Sequence, residues 1–380
     1  MQNLIKDTFL ELADYLEGKS SISSSRVAIT GLGSELGEEN VFKGALEAAR
    51  NGVKVVYLGK MNSPEMECVL VEGEEECHKK MEELLKAKKV DAAVTMHYPF
   101  PIGVSTIGRV ITPAEGRELL IASTTGTSST NRVEAMVLNA VYGLATARAL
   151  KISNPAVGLL NIEGARQAEG ILRKLSENGF DISFAESKRK DGGCFMRGND
   201  VLNPSCDIML TDSLTGNVLT KMLSAFATGG SIEALGFGYG PGLGEKQEEL
   251  VLIVSRASGY KVISGALSYA ARLADSRVMD ELKAVLSSAK SAGLSKLLSE
   301  LKEKSEPKAK QEEEIKAPAK QVVDEAIAGI EIMELEDAVR LLWKNGVYAE
   351  SGMGCTGPVI MVPKASLENA VKLLKEGGFA

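Results

Sequence analysis

The chain alternates short apolar runs with amphipathic stretches. Residues 26–31 (RVAITG), 53–58 (VKVVYL), 90–96 (VDAAVTM), 119–123, 157–162, 207–211 and 250–255 are apolar runs of strand length. Between them, 41–51, 74–88, 132–150, 165–178, 217–227 and 264–274 carry apolar side chains at helical spacing. Strand and helix signals that alternate at this length predict a mostly parallel sheet with helices on both faces, an α/β fold.

That pattern breaks at 299. Residues 299–321 (SELKEKSEPKAKQEEEIKAPAKQ) hold dense charge of both signs, two prolines and almost no large apolar side chain. Such a stretch buries too little to offset the entropy of ordering, so it is expected to be a solvated linker. It would separate a domain over 1–298 from a C-terminal module over 322–380. The module is expected to hold a helix over 335–343, a Gly-rich turn over 352–358, a strand over 359–362 and a last helix over 367–375. About 60 residues fold alone only marginally. The module should therefore dock on the main domain or on a partner chain.

Charge and cysteine usage exclude several classes. Lys and Arg number 44 against 51 Asp and Glu, a net charge of −7. A nucleic-acid or anionic-membrane protein needs a basic face. The opening MQNLIKDTFLELAD is interrupted by acids, so it reads as an amphipathic helix and not as a secretory signal. No apolar run approaches the roughly 18 residues of a membrane span. The five cysteines are odd in number and form no CxxC pair, which argues against a disulfide framework or a zinc ribbon. Two histidines cannot build a His-rich metal site. The expectation is a cytoplasmic protein with no metal and no tightly bound cofactor.

A few segments offer chemistry. Gly31-Leu32-Gly33-Ser34-Glu35-Leu36-Gly37 joins a strand to a helix, but its glycine spacing departs from the dinucleotide fingerprint. The second strand also ends in Leu58-Gly59-Lys60 where a ribose-binding acid would stand. A plain Gly-rich turn is the better reading. The segment 211–221 (TDSLTGNVLTK) passes from a strand through a polar loop into a helix that carries Asn217 and Lys221 early. It is either an anion site made of helix-start amides and Lys221, or an ordinary helix capped by Asp212 or Thr215. Cys355 lies among glycines, where a thiol is accessible; the other four cysteines read as small buried hydrophobes. His97 follows a strand end and is a base or a structural histidine. The hydroxyl-rich 123–131, with Thr125 and Gly126, either binds phosphate or caps the next helix.

Three segments carry a family resemblance. Residues 154–163 (NPAVGLLNIE) resemble the NPxVGLLNIG stretch of the PlsX family of phosphate acyltransferases. Asp212 with Gly216-Asn217-Val218 and Lys221 is similar to its DGFxGNVxLK motif, and 236–244 (GFGYGPGLG) to its GxGGxxLLG stretch. The resemblance covers most of the chain before residue 299. It implies the three-layer α/β/α, isocitrate-dehydrogenase-like fold shared with phosphotransacetylases. The chain departs from PlsX at the early MGGD signature, where it has Gly31-Leu32-Gly33-Ser34, and at a late His-Gly pair, where it has Arg256-Ala257. The charged linker and the Cys355 module are additions. Together these features resemble the small-subunit (alpha) family of protein C of the glycine/sarcosine/betaine reductases.

That resemblance implies a reaction and partners. Protein C takes a two-carbon unit from the selenoprotein A of its complex, holds it as an acetyl thioester, and releases acetyl phosphate with inorganic phosphate as substrate. A beta subunit like ketoacyl-ACP synthase III is the implied partner, and PlsX-like proteins imply a homo-oligomeric core. In this scheme Cys355 carries the acetyl group. Gly216, Asn217 and Lys221 bind phosphate or the oxyanion, and Asp212, Asn161 and Glu163 orient them. Thr125, Gly126 and His97 belong to the same pocket. Competing readings are a phosphate acyltransferase acting on acyl-ACP, which needs no thiol, and a non-catalytic scaffold subunit. A decarboxylating dehydrogenase would need a paired-Asp metal cluster, which the sequence lacks.

Overall fold

An apolar run without alternation requires a strand covered on both faces. The strands β1 (Arg26–Thr30), β2 (Lys54–Gly59) and β4 (Ala92–Thr95) meet that requirement, being buried along almost their whole length. The structure, a computed structural model, describes residues 23–114, 116–188, 193–305, 317–330, 334–354 and 357–379. The readings of 1–14 as a helix and of Cys355, and much of the expected linker, lie outside those residues. The chain divides into two units, Met1–Leu298 and Ser299–Ala380.

In the first unit, α1 (Glu38–Arg50) joins β1 to β2. β3 (Glu67–Leu70) and α2 (Glu74–Lys86) then lead into β4. A long hairpin follows, β5 (Val104–Ile111) and β6 (Glu118–Thr127), and then α3 (Arg132–Ala149) and β7 (Ala156–Leu160). After α4 (Ala165–Glu177) come the short β8 (Ser183–Phe184), β9 (Phe195–Met196) and α5 (Gly198–Leu202). β10 (Ile208–Leu210), α6 (Ser213–Ala225), β11 (Gly240–Leu243), β12 (Val251–Ile253), α7 (Tyr260–Asp275), α8 (Val278–Ser291) and α9 (Leu294–Ser305) complete it. The last helix crosses the unit boundary and runs through Ser305, past the expected start of the linker. Its Leu294 and Leu298 are buried at helical spacing, a signal that the charge density of the segment hides.

The sheet order is β3-β2-β1-β4-β12-β11-β5-β6-β10-β7-β8, with β9 beside β7. It is an α/β fold, but the parallel expectation holds only within each half. β3, β2, β1, β4 and β12 are mutually parallel. So are β6, β10, β7 and β8. The antiparallel pairs β12–β11, β11–β5 and β5–β6 reverse the direction between the groups. β11 lies so close to β5 that a side chain at Gly240 (φ 87°) would stand 1.9 Å from the Ile107 carbonyl oxygen. Only glycine fits there.

Helices cover both faces. α2 buries Cys77, Met81, Leu84 and Leu85 against Ala28, Val56, Leu58 and Ala93. Each such large side chain is worth roughly 1.5–3 kcal/mol. On the opposite face Phe42 of α1 packs edge-on against Tyr57, and Gly44 admits Ile263 of α7. In the other half Leu223 of α6 joins Ile121 and Met209, while Gly143 of α3 lies on Ile208 and Ala122.

The second unit has an antiparallel sheet, β13 (Glu325–Ala328), β15 (Gly357–Val362) and β14 (Glu350–Gly354), in that order. The Gly-rich segment expected as a turn pairs as strand on both sides, as far as Gly354 with Gly357. α10 (Leu335–Lys344) and α11 (Leu367–Glu376) cover this sheet, with Leu342, Ile360, Val362 and Leu374 fully buried.

Candidate active site

Two strand groups that run in opposite senses put their carboxyl ends in different places. β10, β6 and β7 lead to Asp212, Thr125, Gly126, Asn161 and Glu163, whereas β4 and β12 lead to His97 and Ser255. α6 connects the two. It starts at the end of β10 and its later turns reach the end of β12.

The start of α6 is an ordinary cap. The Asp212 carboxylate accepts the Thr215 amide at 2.9 Å and the Thr215 hydroxyl at 2.7 Å. The expected start at 217 is thus too late, because the polar 213–216 are the first helical turn. Lys221 lies nine residues on, ~14 Å along the helix axis from the cap. It cannot serve an anion at the first-turn amides. Gly216 also has a packing role and not the expected phosphate-binding one. Its amide donates to the Asp212 carbonyl oxygen at 2.9 Å, and a Cβ there would stand 1.8 Å from the Ser123 carbonyl oxygen.

Thr125, Gly126, Asn161 and Glu163 share the strand-end edge of β6, β10 and β7 with Asp212, whereas His97 lies beyond β4 in the oppositely directed half. Glu163 pairs with Arg132, and the Asn161 amide donates to the Met196 carbonyl. The Thr125 amide donates to Thr106 Oγ1 at 2.9 Å, and Gly126 turns with φ 70°. His97 is exposed, and its carbonyl oxygen accepts from Thr95 Oγ1. The turn 31–37 is reinforced by Glu38, whose Oε1 accepts the Tyr57 hydroxyl at 2.9 Å and the Lys60 amide at 2.5 Å.

What the fold does assemble is a cluster around Lys221. Its ammonium lies 3.0 Å from Glu233 Oε1 and donates to Ser255 Oγ at 3.2 Å. The Glu233 side chain is 8% exposed and that of Lys221 48%. Ser258 Oγ donates to the other Glu233 oxygen at 3.0 Å. The Tyr239 hydroxyl is within hydrogen-bonding reach of Ser255 and Asn217. Asn217 and Lys221, four apart on α6, face the same side. Thr220 Oγ1, buried and without a hydrogen-bond partner among the described residues, borders a void with room for about one water molecule.

The electrostatics keep the Lys221 ammonium charged, within an ion pair that is neutral as a whole. Burial pulls the Lys221 ammonium down, but the bond and charge of Glu233 outweigh it and raise it above the ordinary lysine value. Burial pushes the Tyr239 hydroxyl up, so it stays neutral. The site therefore presents one fixed cation, a neutral phenol, a serine hydroxyl and an amide. That set suits a small anion. Glu233, Tyr239 and Ser255 were not legible as site residues. Tyr239 lay inside the Gly-rich 236–244, and no local signal marked Glu233.

Three of the four described thiols behave as core, whereas Cys68, expected to be buried, is only half-buried because it lies on the edge strand β3. Burial pushes Cys206 up to about 12, and raises Cys77 and Cys194 as well. Among the described residues no group of three or more His, Cys, Asp or Glu could hold a metal ion. No helix among them is long and apolar enough to cross a membrane.

The sequence matches the family model described as "Fatty acid synthesis protein" over residues 25–361. The glycine/sarcosine/betaine reductase complex component C subunit alpha of Peptoclostridium acidaminophilum is 52% identical over 380 residues, covering 100% of this chain and 98% of that protein. The chain belongs to this component C alpha-subunit family. A phosphate acyltransferase of Phenylobacterium zucineum is 35% identical over 103 residues, 25% of this chain and 26% of that enzyme. A branched-chain phosphotransacylase from Enterococcus faecalis superposes with a TM-score of 0.47 at 16% identity, over 65% of this chain and 98% of its own, too loosely to build on. The expected kinship of component C alpha subunits with phosphate acyltransferases is thus found in one chain.

Proposed function

We propose that this chain forms acetyl phosphate by phosphorolysis of an enzyme-bound acetyl thioester within a glycine/sarcosine/betaine reductase complex. The half-exposed Lys221 ammonium, held by buried Glu233 and flanked by Ser255, Tyr239 and Asn217, carries the proposal. The 52% identical component C alpha subunit and the shorter phosphate acyltransferase matches support the same chemistry.

In this reading Lys221 and the neighbouring hydroxyls bind inorganic phosphate. A phosphate oxygen attacks the thioester carbonyl carbon. The C–S bond breaks, acetyl phosphate leaves, and the thiolate takes a proton. Phosphate is already a nucleophile, so the protein's task is to align it and stabilise the oxyanion with fixed donors. Cys355 is the proposed acetyl carrier on sequence grounds. A beta subunit and the acyl-donating selenoprotein of the complex are the proposed partners, and the cytoplasm the proposed location.

The test is arsenolysis. The purified chain should consume acetyl phosphate when arsenate is present, and alkylation of Cys355 should stop it. Consumption that survives alkylation would remove Cys355 as carrier; no arsenate-dependent loss at all would favour a scaffold. Acyl-phosphate synthesis from acyl-ACP that is unaffected by Cys355→Ser would favour a phosphate acyltransferase.

A further inference from the structure

Thr220 lies on the buried side of α6, next to Lys221 in sequence, and the proposed reaction gives it no task. It is 4% exposed, and its hydroxyl has no hydrogen-bond partner among the described residues. Glu233, 6% exposed, has a similar need at Oε1. The Lys221 ammonium stands 3.0 Å from that oxygen as its ion-pair partner, yet no well-aligned hydrogen bond from the described residues reaches it. Both side chains line one void, walled also by Val110, Leu235 and Phe237, with room for about one water molecule. Unpartnered polar atoms are costly to bury, so two that face the same void call for one occupant that serves both.

We propose that this void binds one water, which accepts from Thr220 Oγ1 and donates to Glu233 Oε1, and that Thr220 is thereby a positioning residue for Lys221. Other occupants fit worse. An acyl methyl group would leave both polar atoms unsatisfied. An anion would face the Glu233 carboxylate. A metal ion would share one carboxylate oxygen with the Lys221 ammonium and be repelled by it. Arg109 also borders the void but is already engaged, since its guanidinium pairs with Glu118 and stacks on the Phe237 ring at 4.2 Å. A water has the size, and the two oxygens give it the partners a buried water needs. With Ser258 on Oε2 and the water on Oε1, the carboxylate is held at both oxygens. Without the water the ammonium alone serves Oε1 and is drawn toward it, away from an anion at the surface. The water itself does not depend on the proposed reaction; its effect on phosphate rests on that reading.

A crystal structure of the full chain, at a resolution that orders buried waters, should show one peak in the void about 2.5–3.0 Å from both oxygens. A void filled by a side chain, or dry while other buried waters are ordered, overturns the proposal. Thr220→Val keeps the shape and removes the hydroxyl, and the sign of its effect discriminates. With a water in place the change strands that water, and the melting temperature should fall by about 2 °C or more. With no water it removes an unsatisfied hydroxyl, and a raised melting temperature would refute the site. In acetyl-phosphate formation Thr220→Val should raise the KM for inorganic phosphate roughly 3–10-fold with kcat near that of the parent, and Thr220→Ser should restore it. An unchanged KM in Thr220→Val, or a loss confined to kcat, would overturn the positioning role. A chain with no phosphate-dependent activity fails the proposed function instead, and the density and the melting temperature still decide the water.

Discussion

Lys221 and Glu233 form an ion pair whose two members are buried unequally, and that inequality has a thermodynamic signature. At 3.0 Å the Coulomb attraction is about 5 kcal/mol for an effective dielectric constant of 20. The exposure of the Lys221 side chain lowers this to roughly 1–2 kcal/mol. Truncation is not symmetric, however. Glu233→Gln leaves a solvated ammonium and keeps the Ser258 contact, so it should cost about 1 kcal/mol. Lys221→Met leaves a buried carboxylate with Ser258 as its remaining side-chain partner, and should cost roughly 3 kcal/mol. The double variant removes the stranded charge, so it should be more stable than Lys221→Met alone by roughly 1–2 kcal/mol. Urea unfolding of the four proteins at neutral pH measures this. Strictly additive single effects, or a Met variant as stable as the Gln variant, would refute the reasoning.

Three further outcomes follow from the same geometry. Gly216→Ala puts a methyl group 1.8 Å from the Ser123 carbonyl oxygen; the helix must move off β6, and thermal denaturation should show a loss of about 3 kcal/mol or more. Burial pushes Cys206 up to about 12 and also raises Cys77 and Cys194, so mass mapping after iodoacetamide at pH 8 should find these three unmodified until the protein is unfolded. Burial pulls Asp275 up, but bonds from Ser25, Ser23 and Ser24 outweigh it and lower its pKa. Its stabilisation is present above the unfolded carboxylate value of about 3.9 and is lost as the pH falls through the folded one. Asp275→Asn should therefore cost about 1 kcal/mol at neutral pH and less in acid, as read from denaturation midpoints.

Much of the fold was legible, because buried strands and amphipathic helices write their periods into the sequence. The apolar runs at 26–31 and 53–58 coincide with β1 and β2 to within a residue. The reversal at the centre of the sheet was not legible. β11 is Gly-Pro-Gly-Leu, whose composition suggests a turn; it is a strand only because β12 and β5 flank it. Without β11 and β5 the two halves appear to run the same way, and all strand ends appear to converge. That error gathered Asp212, Asn161 and Glu163 into one pocket with Lys221. The sequence left the start of α6 open between an anion site and a helix capped by Asp212 or Thr215; Asp212 is the cap, which moves the start from the expected 217 to Ser213. The kinship in 154–163 and 212–221 was specific enough to point to acyl-phosphate chemistry before any geometry. Glu233 could not be found, because its role comes from a contact made twelve residues away in sequence.

The direct test of the central claim is the kcat/KM for inorganic phosphate in acetyl-phosphate formation, measured for Lys221→Met against the parent chain. With the fold verified, a lost charge-assisted donor should lower it by roughly 10²–10³-fold. The loss should persist in the more stable Lys221→Met/Glu233→Gln variant. A value within twofold of the parent would mean that phosphate binds elsewhere.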